Sequence, residues 1–121
     1  MNKPLLGLVL GAGLGALDGL SALVSAPEVA PGIVTIVLGS TGKGLVAGLI
    51  TGFIARKLHS LPLGILVGLV VAALLALPIA LSTDPNTGKQ YFWEIMIPGA
   101  MVGIIVGYAT QKFGQPAPSR A

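Results

Sequence analysis

Four apolar runs, each close to the roughly 20 residues a bilayer crossing requires, alternate with short polar breaks along this chain of 121 residues. They cover residues 4–25, 32–57, 61–81 and 91–113, with residues 114–121 trailing behind. The polar positions gather at the breaks. Residues 26–32 form a short proline-containing turn, Arg56 and Lys57 close the second run, and residues 82–90 (Ser-Thr-Asp-Pro-Asn-Thr-Gly-Lys-Gln) are the clearly polar loop. Pro4 suits the first turn of a helix, and Tyr91, Phe92 and Trp93 suit an aromatic belt at a membrane surface. Lys3, an apolar run and the small residues before Ala26 imitate a signal peptide, but the length of the run and Asp18 within it favour a true span.

Within these runs the small residues are periodic. Gly7, Gly11, Gly15 and Gly19 occupy one face of the first helix; Gly44, Gly48 and Gly52 do so in the second, Gly64, Gly68, Ala72 and Ala76 in the third, and Gly99, Gly103 and Gly107 in the fourth. Such helices would be poor in water, because glycine loses the most backbone freedom on ordering. In lipid, helices associate by close packing, and a glycine stripe lets two backbones approach closely. The pattern predicts an all-α integral membrane fold: a four-transmembrane-helix bundle of two tandem helical hairpins with glycine-ladder packing, in a single domain.

Composition agrees, with 54% hydrophobic and 9% charged residues against roughly 25% charge in soluble domains. Absence of cysteine excludes disulfides and thiolate metal sites. The basic pI of 9.6 comes from residues scattered over helix ends, a distribution that reads as membrane topology and not as nucleic-acid binding. Placing Lys3, Arg56, Lys57, Lys112 and Arg120 inside leaves Lys89 outside, so the positive-inside rule selects N-in and C-in, with a cytoplasmic tail, in a bacterial inner membrane.

The halves also align with each other. Residues 6–11 match 63–68, pairing Gly7 with Gly64 and Gly11 with Gly68, while residues 43–58 match 98–113 with all three glycines coincident. Two hairpins of like orientation follow, and the alignment isolates what differs: Asp18 falls opposite Leu75 and Lys43 opposite Pro98. Intramembrane charge belongs to the first hairpin alone.

A charge near the bilayer centre costs about 2.5–3.5 kcal/mol on insertion scales, so each needs water or a partner. Asp18 lies within the arc of its own glycine ladder, and Lys43 is its candidate partner. Each stands 14 residues from its helix's presumed inner end, at about 21 Å depth. Two readings follow. The pair is a structural register pin, or it lines an ion or solute pathway together with Ser40 and Thr41. Residues 38–44 imitate a phosphate-binding loop but lack its first glycine at Val37 and its hydroxyl residue at Gly44, so nucleotide binding is rejected. The same Gly-Ser-Thr-Gly stretch leaves two options: a second span broken near residues 39–42, with Ser40 or Thr41 capping a restarted helix, or a span that begins only at Ser40 with Lys43 snorkelling outward.

Glu94, just inside the aromatic belt and near Lys89, is a secondary candidate that reads first as an interfacial residue or a loop salt bridge. His59, beside Arg56 and Lys57, suits a lipid headgroup better than a metal. No nucleophile–histidine–acid set or paired carboxylates appear, so neither an enzyme nor a cofactor or metal site is expected. Two functions stay open: an oligomeric channel or transporter for an ion or small solute, or a noncatalytic subunit of a larger membrane complex. Four small-residue stripes on four helices favour a homo-oligomer or other membrane partner.

Overall fold

In the computed structural model, which describes residues 1–85 and 87–115, the chain is four helices and their connections. They are α1 (Lys3–Ser25), α2 (Ile33–Ala55), α3 (Leu61–Leu81) and α4 (Phe92–Phe113), with a 3-10 turn (Pro27–Gly32) between α1 and α2. All four are long and apolar enough to cross a membrane. Their starts are encoded locally: the Asn2 side chain accepts from the Leu5 amide at 2.8 Å, and Ser60 caps α3 in the same way through Leu63. Pro4 occupies the first turn of α1, where its missing N–H leaves no bond unmade. The polar Asn86 and residues 116–121 of the expected tail lie outside the described residues.

The expected second span shifts slightly, because Arg56 and Lys57 form a turn after the helix instead of ending it. More important, α2 runs unbroken through Gly39 and Gly42. Neither the broken span nor the short one beginning at Ser40 holds. Thr41 donates its hydroxyl to the Val37 carbonyl at 2.7 Å, one turn back, so it caps nothing. Breaking a helix at that depth would strand several backbone groups without water, a penalty greater than the poor helix propensity of two glycines.

α1 and α2 run antiparallel, and each step of four along one is answered on the other. A Cβ built on Gly7 would strike the Gly48 carbonyl, one on Gly11 the Gly44 carbonyl, and one on Gly15 the Ser40 carbonyl. In the second hairpin a Cβ on Gly68 would strike the Gly103 carbonyl and one on Gly107 the Gly64 carbonyl. This corrects the register of the repeat. If Gly68 were the mate of Gly11, it would face Gly99; it faces Gly103, one turn away, about 6 Å along the axis. The buried row Lys3, Gly7, Gly11, Gly15, Gly19 of α1 therefore corresponds to Gly64, Gly68, Ala72, Ala76, Ala80 of α3. By the same shift Asp18 corresponds to Ile79.

α2 and α4 meet each other as well as both remaining helices, while the backbones of α1 and α3 stay apart among the described residues. The two ends of the bundle are built differently. At the proximal end, which carries the N-terminus and the 56–60 turn, Lys3 is buried and donates its Nζ to the Ala55 carbonyl at 3.1 Å, capping α2. The Gln115 amide reaches the Met1 carbonyl at 3.0 Å, and Gln111 donates to the Leu58 carbonyl at 2.8 Å while its stem covers Gly64. At the distal end, Val29 of the 3-10 turn is buried, and Glu28 accepts from the Tyr91 hydroxyl at 3.1 Å with Lys89 at 3.9 Å.

Candidate functional site

Asp18 and Lys43 meet. Lys43 Nζ stands 3.5 Å from Asp18 Oδ2, and both side chains are largely withdrawn from the surface. Equal depth on antiparallel neighbours produces the contact, and the Gly15 and Gly44 backbones beside it bring α1 and α2 close enough for a short carboxylate to be reached. The amine does not snorkel outward. It lies over α4 as well, where a Cβ on Gly99 would stand 3.7 Å from Nζ.

The pair forms the floor of a cavity of about 280 Å³ that opens toward the distal end. Gly19 and Ala22 of α1, Ile36 and Ser40 of α2, Ile79 of α3 and Ile95 of α4 wall it, and Val29 and Tyr91 stand toward the connections. The walls are mainly apolar. On the other side of the pair, space shrinks to a void of about 10 Å³ between Gly15, Ala47, Ala72 and Val102, at the limit of what one water needs. Further along, the Gly11 and Gly7 crossings bring α1 against α2. The depression is thus deep on one side of the ion pair and nearly closed on the other.

Each candidate can now be placed. Ser40 lies on the cavity floor, 8% exposed, and its hydroxyl faces the Asp18 carboxylate without closing a hydrogen bond; Oγ has no partner. Thr41 is turned to its own helix and takes no part in the wall. Glu94 is exposed at the wall, and of its two readings the loop salt bridge is not formed: Lys89 reaches Glu28 instead, because the 3-10 turn brings Glu28 up to the loop. Glu28 and Asp84 are distal acidic groups that the spacing of residues along the chain did not single out. Their only signal was charge beside a proline, which is common in turns. No group of histidine, cysteine or carboxylate residues among those described could hold a metal ion. At the proximal end Lys112 donates to the Tyr108 hydroxyl at 3.0 Å, and Arg56, Lys57 and His59 are exposed.

Comparison with protein-family models, curated proteins and solved structures finds no match.

Proposed function

We propose that this chain is a small multi-pass inner-membrane transporter for an ion or small solute, N-in and C-in, working as an oligomer; the ladder glycines that were expected to reach another subunit are taken up within each hairpin, so the contact between subunits falls on other faces. One observation carries the reading: a cavity open toward one end of the bundle finishes on an ion pair at depth, and nearly closes beyond it. Intramembrane ionisable residues that face a cavity mark pathways more often than they mark mere packing. The one-sided shape favours a transporter that binds and then rearranges over a standing open channel.

Flux into proteoliposomes tests it. Wild-type protein should carry at least one member of a broad panel of ions and small solutes, and Asp18→Leu with Lys43→Leu should fold yet lose that flux. Unchanged flux in the folded double variant would remove the site. A second reading, a noncatalytic subunit of a larger membrane complex, is favoured by Gly13 and Gly42, which are exposed with nothing within 4 Å and leave room for another helix. Wild-type protein inert across the panel would favour this alternative.

The orientation has its own measurement. Because the chain has no cysteine, Thr83→Cys should react with an impermeant thiol reagent added outside intact cells, and His59→Cys only after lysis. The opposite pattern would invert the topology.

A further inference from the structure

We propose that the floor of the distal cavity is a binding site for a small zwitterionic solute of the α-amino-acid type, an inference that rests on the transport reading for the use of the site but not for its existence. Three polar groups converge there, and none is well satisfied. Ser40 Oγ is buried without any partner. Lys43 Nζ and Asp18 Oδ2 stand 3.5 Å apart, longer than the roughly 2.7–2.9 Å of a strong charge-assisted hydrogen bond. Buried polar groups left in this condition are completed by water or by a ligand. There is space for either in a cavity of about 280 Å³, far above the roughly 10–15 Å³ that one water needs.

Charge decides which ligand. Asp18 and Lys43 together are neutral, so a bound anion or cation would leave one uncompensated charge in a medium that solvates charge poorly. A zwitterion leaves none. Its carboxylate can accept from Lys43 and from the Ser40 hydroxyl while its ammonium group donates to Asp18, which opens the long pair and replaces it with two shorter contacts. A hydrocarbon side chain would then lie against Ala22, Ile36 and Ile95, which line the same cavity. The exposed Glu94 in the wall further disfavours a simple anion.

The test uses Ala22→Cys as a reporter in nanodiscs, read as the rate of modification by a water-soluble maleimide. Probes are small α-amino acids (glycine, alanine, serine, valine) set against ethylammonium, propionate and the neutral lactamide. At least one amino acid should slow modification threefold or more at millimolar concentration, with the three analogues having no effect. Protection should vanish in Asp18→Leu with Lys43→Leu and weaken in Ser40→Ala. Calorimetry on the unsubstituted protein with the same probes repeats the comparison should the reporter fold poorly. Equal protection by ethylammonium, propionate or lactamide overturns the proposal, as does failure of every amino acid in both measurements. Amino-acid protection without flux keeps the site and removes the transport reading. Ion flux without amino-acid protection does the reverse.

Discussion

The two hairpins carry the same four-residue ladder and settle on different rungs of it. α1 against α2 and α3 against α4 both bring glycine to backbone carbonyls, yet α4 sits one turn displaced from the place that the aligned glycines assign to it. A ladder of identical rungs fits itself after any slide of four residues, so it sets how closely two helices approach and leaves their register free. Polar side chains choose the rung. In the first hairpin Lys43 reaches Asp18 at one depth and Lys3 reaches the Ala55 carbonyl at the other. In the second, Gln111 reaches the Leu58 carbonyl and fills the space over Gly64. The rungs differ in width as well, since α3 presents Ala72 and Ala76 where α1 presents bare glycine.

The comparison breaks most sharply at its charges. Asp18→Leu alone should destabilise the first hairpin by about 2.5–3.5 kcal/mol, because Lys43 is left unpaired at depth. Adding Lys43→Leu should recover most of that loss, since apolar residues replace a buried pair at little cost. Unfolding in a detergent–dodecyl sulfate titration reads both, and additive losses would mean that the two residues do not depend on each other.

A smaller effect grades the rungs. Gly11→Ala, whose methyl meets the Gly44 carbonyl, should cost about 1–3 kcal/mol by overpacking. Gly99→Ala, whose methyl would stand 3.4 Å from Ala76 Cβ, should cost under about 1 kcal/mol. Gly13→Ala, with nothing within 4 Å, should lie within about 0.5 kcal/mol of wild type. The same titration gives the order, and equal values at all three positions would make the ladder an accident of composition.

Helix positions were legible in the sequence because a bilayer demands one length and one chemistry, and residues 61–81 coincide with α3 to the residue. The buried rows of α1 and α3 follow the small residues from Gly7 to Gly19 and from Gly64 to Ala76. Register was not legible, for the reason that each row matches itself after a slip. Nor was the continuity of α2 through Gly39 and Gly42, because propensities that break a helix in water are overruled where a free carbonyl has no solvent. Asp18 and Lys43 could be paired by counting turns, whereas the unpartnered Ser40 hydroxyl and the Glu28 contacts depend on how four helices and a 3-10 turn come together. Those are distances between segments, and no local spacing encodes them.

The bundle's two ends are fastened unequally. At the proximal end a buried lysine grips a helix terminus, and two further links tie Met1 to Gln115 and Gln111 to Leu58. At the distal end the span between hairpins rests on the exposed Glu28 and Lys89 and the half-buried Tyr91, where solvent screens the charges and leaves the contacts weak. Mechanically this is a pair of tweezers: riveted at the base, lightly latched at the tips, with the ion pair partway down on the inner side of one arm. A pull that parts the hairpins meets its least resistance at the tips, so widening begins at the mouth of the cavity and the base serves as the fulcrum.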